Sequence, residues 1–310
     1  MIDLDESVGS PLYEADAAFD GTIWSVQPAH SESGFANVPT NGQVIENPFW
    51  RNFCRLTGRS SSLRSEGDGT FVITGPGAGK LSLARTNKGG LSILPSQVSA
   101  DANTGAFFYA PDAVKQYVLD NTVVGSSTAH VFAMVLHMVP LRATPVGYGN
   151  AASMVLASVE RPGTNATLRI SPTGSDAPIG AALPTTAYAR PSVFPIGVPT
   201  LRMMTGDRWN SSKPALGQFH ILAGAGNSPN LTNPTYQNKA GGMILYRVDL
   251  VDLTVSGLDI NLSGERGPAP AAYLDYERFR LAHRRHLDFM FGSKGPFYGD
   301  NIPVAAGAFP

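Results

Sequence analysis

The run His130-Val131-Phe132-Ala133-Met134-Val135-Leu136-His137-Met138-Val139 decides the fold class. One set of alternate positions carries Phe, Met, Leu and Met, and the other set is also mostly apolar. A strand that is apolar on both faces is covered on both sides by other parts of the chain. A buried helix is the alternative, and both the ten-residue length and Pro140 at the end favour a strand. The sequence therefore predicts a central strand with packed side chains above and below it.

Shorter segments on both sides of this run alternate apolar with polar residues and are separated by Gly, Pro and Asn turns, which is typical of half-buried strands. The predicted strands are residues 22–26, 70–74, 81–84, 91–94, 154–159, 166–171, 200–204, 218–223 and 243–250. Arg161-Pro162-Gly163-Thr164 indicates a hairpin, and residues 111–119 a short helix that begins with proline. We therefore expect an all-β fold, a two-sheet antiparallel jelly-roll β-sandwich.

One strong helix pattern follows the strands, from Pro270 to Phe291. Its apolar stripe falls at steps of three and four residues, at Tyr276, Phe279, His283, Leu287 and Met290. The stripe has to cover an apolar surface, and the outward face of the 130–139 strand is one candidate. The predicted organisation is an N-terminal arm (1–45), the sandwich (46–262), one C-terminal helix (263–292) packed on the sandwich or a neighbour, and an extended tail (293–310).

The composition limits the classes of function. Charged residues make up 15% of the 310 positions, against roughly 25% in an average soluble protein, which suits a surface partly covered by partner subunits. The net charge of −1 supplies no field that attracts nucleic acid or an anionic membrane. The sequence has no run of about 20 apolar residues, so no membrane-spanning segment is expected. The acidic N-terminus lacks the apolar segment of a signal peptide.

Cys54 is the single cysteine, so no internal disulfide forms. Its apolar surroundings indicate a small buried side chain. Gly75-Pro76-Gly77-Ala78-Gly79-Lys80 resembles a phosphate-binding loop, but Leu81 stands where that motif needs Ser or Thr, and a strand follows instead of a helix. We expect a hairpin turn there.

Two further patterns come close to chemical sites. His283 and His286 have a spacing that can share a metal, but Arg284 and Arg285 between them disfavour a cation. Asp249 and Asp252 are the nearest approach to the paired carboxylates of a glycosidase, and no Glu accompanies them. The sequence therefore indicates no catalytic residue, no metal site and no cofactor.

A polar cluster with one tryptophan precedes a long Asn-rich loop at residues 224–242. Trp supplies a face on which a sugar stacks, and Asp and Asn supply directional hydrogen bonds. The candidate ligand-binding residues are Asp207, Trp209, Asn210, Asn227 and Tyr236. The alternative is a turn with a buried tryptophan.

Large apolar and basic side chains in the arm, helix and tail indicate docking surfaces. The candidate assembly-interface residues are Trp24, Arg280, Arg284, Phe297 and Tyr298. We expect the partners to be other copies of the chain in a symmetric homo-oligomer.

Three segments carry a likeness to a known family: the strand 130–139, the hairpin 154–171 and the strand Gly242-Met243-Ile244-Leu245-Tyr246-Arg247-Val248 before the final helix. Together they resemble concanavalin A-like (laminin-G-type) jelly rolls of bacteriophage virion proteins. The resemblance implies a non-enzymatic tail, collar, fibre or capsid-decorating protein that resides in the virion, and in the cytoplasm before assembly. It also implies other virion proteins as partners. A host-adhesion role, a lectin-like glycan-binding module and a sandwich-fold glycoside hydrolase remain alternatives.

Overall fold

Two antiparallel sheets stack face to face in the computed structural model. The described residues are 21–29, 34–57, 64–75, 79–98, 104–124, 130–142, 154–161, 165–170, 195–206, 208–209, 212–227, 241–255 and 270–303. Within a few of these helices and strands only the backbone is described. The predicted two-sheet antiparallel β-sandwich is confirmed.

The first sheet holds the predicted central strand. Its members are β1 (Thr22–Val26), β4 (Leu81–Arg85), β5 (Leu91–Pro95), β8 (Phe132–Pro140), β11 (Thr200–Gly206) and β14 (Met243–Asp252). The order across the sheet is β11-β8-β14-β5-β4, and β1 pairs with the other half of β14. The strand β14 therefore joins the beginning of the described chain to the centre of the sheet.

The second sheet covers the inner face of the first. Its members are β2 (Val44–Ile45), β3 (Gly69–Thr74), β6 (Gly105–Tyr109), β9 (Met154–Arg161), β10 (Asn165–Ile170) and β13 (His220–Asn227), in the order β10-β9-β13-β6-β3-β2. The predicted hairpin between β9 and β10 is confirmed by their antiparallel register. Two short strands, β7 (Val123–Val124) and β12 (Arg208–Trp209), form a separate parallel pair.

The sequence expectation of a hairpin at residues 75–80 is wrong. The strand β3 before this segment lies in the second sheet and β4 after it lies in the first, so the two strands do not pair with each other. The predicted strand β1 and the short strand β2 lie within the expected arm, residues 1–45, and each is a member of a sheet. The reason is apolar burial, because Ile23 and Trp24 fill the space between the sheets.

Three helices lie in the described part of the chain: α1 (Pro48–Leu56), α2 (Asp112–Asn121) and α3 (Pro270–Phe291). The last two confirm the helices predicted from the sequence, whereas α1 was not predicted. No described helix is long and apolar enough to cross a membrane.

The space between the sheets forms an inner core rich in aromatic rings. Phe71 packs on Phe108 with ring centroids 4.8 Å apart. Phe53 of α1 packs on Tyr117 of α2 at 5.0 Å, so both helices close this core. Cys54 is buried beside them, as predicted.

The outward face of the first sheet carries a second apolar layer, the outer core, which helix α3 covers. Phe279 packs with Val135 and Val251. Leu287 and Met290 pack with Val139 and other outward residues further along. The strand β8 is therefore buried on both faces, and the predicted docking of the helix on its outward face is confirmed.

Replacing Trp24 with alanine tests whether this residue belongs to the inner core. Its side chain is 1% exposed, so Trp24→Ala leaves a large cavity and lowers the free energy of unfolding by about 3–5 kcal/mol. Urea titration measures the change. Val44→Ala is the control, because Val44 is 63% exposed and its truncation changes stability by less than about 0.5 kcal/mol. An unchanged urea midpoint of unfolding for Trp24→Ala would contradict the inner-core position and would support Trp24 as an assembly-interface residue.

Candidate functional site

The structure removes Trp209 from the predicted ligand site. Its side chain is 0% exposed, its Nε1 donates to Thr122 Oγ1 at 2.9 Å, and its ring meets Phe219 edge-on at 5.3 Å. A ring enclosed in this way offers no face to a sugar. The prediction of Trp209 as a ligand-binding residue is therefore wrong, and it is an inner-core side chain.

The other predicted ligand-binding residues are not brought together by the described structure. Asp207, Asn210 and Tyr236 lie outside the described residues. Asn227 is the last residue of β13, and its side chain is not described. The strand extends four residues, 224–227, into the segment expected to be loop, so the predicted boundary at Gly224 is wrong.

The predicted interface residues divide into buried and exposed groups. Trp24 is an inner-core residue, so its assignment to an interface is wrong. Phe297 is 5% exposed, because its ring packs on Tyr246 at 4.6 Å. Tyr298 beside it is 57% exposed, and Arg284 is exposed and pairs with Asp288. The side chain of Arg280 is not described.

Asp249 is the centre of a buried polar network on the outward face of β14. Arg247 Nε donates to Asp249 Oδ2 at 2.6 Å, and Ser25 Oγ of β1 donates to Oδ1 at 2.6 Å. Gln27 Nε2 donates to Ser25 Oγ at 3.1 Å. Both carboxylate oxygens thus have donors, so this network fastens β1 to β14.

Asp252 lies on the opposite face of the same strand and holds a second network. Its Oδ2 accepts from the Tyr117 hydroxyl at 2.5 Å and lies 2.7 Å from His130 Nδ1. Its Oδ1 accepts from the backbone nitrogen of Thr254 at 3.0 Å. Because Asp249 and Asp252 face opposite sides, they cannot act on one glycosidic bond as a carboxylate pair.

Three histidines meet between helix α3 and the first sheet. His137 Nε2 of β8 lies 3.2 Å from His283 Nδ1 of α3, so one ring donates and the other accepts. The His286 ring centroid lies 5.5 Å from that of His137. The register of β14 sets Arg247 directly opposite His137. We name the three histidines the helix-docking cluster, and Arg247 lies beside it.

Burial favours the uncharged form of all three histidines. It lowers the pKa of His137 and of His283 well below the ordinary value, and Arg247 lowers both further by charge repulsion. Burial, followed by Arg247, lowers the pKa of His286 to about 3. No group of three His, Cys, Asp or Glu among the described residues is placed to hold a metal ion. The cluster is therefore a neutral contact with one fixed cation beside it.

The spacing in the sequence singles out His283 and His286 but gives no reason to include His137. His137 is the polar residue in an otherwise apolar row of the predicted central strand, and His283 belongs to the predicted helix stripe. Docking of that stripe on that row was itself predicted. A polar residue in each of the two apolar patterns, the strand row and the helix stripe, was therefore the sequence signal that could have indicated this cluster.

A surface groove of about 260 Å³ lies next to the helix, between the tail after α3 and the outward face of the first sheet. Its floor includes Val139, Ile244 and Tyr246. Burial and the Asp300 carboxylate raise the pKa of Tyr246 above its ordinary value, so its hydroxyl stays protonated and donates to Asp300 Oδ2 at 2.9 Å. We name this feature the tail groove.

The walls of the tail groove are fixed by hydrogen bonds. Asp300 Oδ1 accepts from the Lys88 backbone nitrogen at 3.0 Å, and Asn301 Oδ1 accepts from the Asn87 backbone nitrogen at 2.6 Å. Two of its lining residues expose large apolar side chains, Tyr298 (57%) and Ile302 (48%), while Ile196 (47%) and Val198 (48%) flank the lining residue Gly197. A grouped set of exposed apolar side chains is a mark of an interaction surface.

The Asp249 network yields a prediction that separates a structural role from a catalytic one. Asp249→Asn leaves the Arg247 guanidinium in a buried site without its counter-charge, which lowers the free energy of unfolding by about 3 kcal/mol. Chemical denaturation measures it. Asp288→Asn is the matched control, since the pair with Arg284 is exposed to solvent and its loss changes stability by less than about 0.5 kcal/mol. The hydrolase alternative would be supported by a different result. In that case the wild type hydrolyses a polysaccharide, and Asp249→Asn abolishes this activity while its stability is unchanged.

No family model and no curated protein matches the chain. Among solved structures, the chain is similar to a sialidase from Trypanosoma rangeli in complex with 2-keto-3-deoxy-D-glycero-D-galacto-2,3-difluoro-nononic acid, with 11% sequence identity and a TM-score of 0.31. The match covers 86% of this chain and 38% of the sialidase chain. A likeness of this degree carries no argument about the function of this chain.

Proposed function

We propose that this chain is a non-enzymatic structural or assembly protein of a bacteriophage particle, and that it binds further copies of itself through the tail groove. The observation that carries the assembly part is the hydrogen-bonded groove whose lining exposes the large apolar side chains of Tyr298 and Ile302. The virion setting is supported by the sequence resemblance to phage jelly rolls. Detection of the chain by mass spectrometry in purified particles tests that setting.

The groove has the features of a protein contact. Its walls are held by hydrogen bonds from β14 and from the turn after β4, so little ordering is needed when a partner binds. Tyr298 presents an exposed aromatic ring, a residue type enriched at the centres of interfaces. The low charge of the chain, 15% of residues, also fits a surface that partners cover.

The buried carboxylates favour this proposal over the hydrolase alternative. The oxygens of Asp249 and Asp252 are occupied by donors from neighbouring strands and helices. These groups hold elements of the fold together. The glycan alternative loses its aromatic platform because Trp209 is enclosed in the inner core.

A double substitution in the tail groove tests self-association. Tyr298→Arg with Ile302→Arg places two charges where a partner would bury apolar surface, and it is expected to weaken association at least tenfold. Size-exclusion chromatography with light scattering, over a range of protein concentrations, measures the assembly state. Val44→Arg is the control, since it adds a charge at an exposed position of the second sheet.

Two outcomes would contradict the proposal. One is a wild-type chain that stays monomeric at every concentration measured. The other is a double variant that associates as tightly as Val44→Arg.

A further inference from the structure

We propose that helix α3 is an acid-released element: it stays on the sandwich while the helix-docking cluster is neutral and leaves the first sheet when the cluster takes up protons. The proposal concerns the helix and the sheet of a single chain. It is therefore independent of whether copies associate through the tail groove.

The contact between two rings is the first support. His137 Nε2 and His283 Nδ1 lie 3.2 Å apart, a hydrogen-bond distance that needs one nitrogen without a proton. When both rings are protonated, two N–H groups and two positive charges face each other at that distance. The contact then changes from attractive to repulsive.

The described charges of the first sheet next to the cluster are those of Arg247 and Asp249. From β14, Arg247 already brings a positive charge opposite His137. Asp249, the carboxylate that β14 brings to this face, is held by Arg247 and by Ser25 of β1. From β11, the residues packed on the outer core are Leu201 and Met203.

The described charged side chains of the helix, other than the histidines, point away from the cluster. Arg284, Arg285 and Asp288 are exposed to solvent, and Asp288 is paired with Arg284. Protonation of the cluster therefore adds positive charge beside Arg247, and the described carboxylate on this face, Asp249, already has Arg247 and Ser25 as partners.

The direction of the pH dependence follows from comparing docked and released states. A released histidine titrates near its ordinary pKa of about 6.5, whereas burial holds the pKa of His286 in the docked state at about 3 and those of His137 and His283 well below the ordinary value. Docking is thus fully favoured above about pH 6.5. Below that pH the released state binds more protons, and the docking equilibrium weakens roughly tenfold per pH unit for each histidine, until the docked pKa is reached.

Release uncovers an apolar surface that was part of the outer core. Phe279, Leu287 and Met290 leave contacts with Val135, Val139 and the outward residues of β14. The two sheets keep their own inner core, because α3 contributes no side chain to it among the described residues. The expected acid state is a folded sandwich with a free outward face.

Hydrogen–deuterium exchange of the full chain, at pH 7 and pH 5 with labelling times scaled for the intrinsic exchange rate, tests the proposal. We expect peptides from 279–291 to lose at least tenfold in protection at pH 5, while β5 and β6 stay protected. The same helix and sheet protection at both pH values would overturn the proposal. Loss of sheet and helix protection together would also overturn it, since that is general acid unfolding.

Two variants identify the histidines as the cause. His137→Leu with His283→Leu replaces both partners of the ring contact by apolar groups, and it should reduce the pH response by at least tenfold. If that chain does not fold at pH 7, His286→Leu removes one titrating group and should reduce the response by up to about tenfold.

His220→Gln is the matched control, because His220 is a partly buried histidine of the second sheet whose pKa burial also lowers. It should respond to pH as the wild type does. Two results would overturn the assignment of the pH response to the cluster. One is a wild-type pH response in the cluster variants, and the other is loss of that response in His220→Gln.

Discussion

The covering of the outward face of the first sheet is the constraint on which the rest of the structure depends. The strand β8 is apolar on both sides and β14 adds Tyr246 and Val251 to the outward side, so a sandwich of two sheets would leave this outward face in water. Helix α3 buries Phe279, Leu287 and Met290 against it, each to 2% exposure or less. Burial of a side chain of this size contributes about 2 kcal/mol, so the helix belongs to the fold as much as the strands do.

The same contact contains buried polar groups, which give it a defined position. A register shift in β14 between Leu245 and Arg247 turns Tyr246 and Arg247 to the same side, although they are adjacent in the chain. Tyr246 then supports the tail groove, and Arg247 reaches the histidines and Asp249. An apolar helix on an apolar sheet can slide, whereas groups that need partners fit in one position.

The parts of the fold that could be predicted are those with a strong local pattern. The strand β8 lies in a ten-residue run that is apolar on both faces, and helix α3 shows period 3.6 over a long run. Their contact was one candidate, because both have apolar faces to cover. Strand β13 was cut short because Gly224 looks like a loop residue. A Cβ at that position would lie 2.0 Å from the Ala106 carbonyl oxygen, so glycine is there to let β13 approach β6. A constraint that comes from tertiary packing leaves no pattern in the local sequence.

The candidate site shows the same limit. Exposure cannot be obtained from residue type, so Trp24 and Trp209 were placed on surfaces although both lie in the inner core. His283 was noticed for its spacing to His286, while its partner His137 is 146 positions away. Only the docked helix brings them together.

The pairing of β1 with β14 has a consequence for the chain during its synthesis. Ser25 and Asp249 meet across 224 positions, so β1 cannot pair with β14 until the ribosome has added those residues. At a ribosomal rate of about 5–20 residues per second, that wait is roughly 10 to 45 seconds. During this time Ile23 and Trp24 form an exposed apolar segment of the nascent chain, where chaperones can bind and two unfinished chains can aggregate.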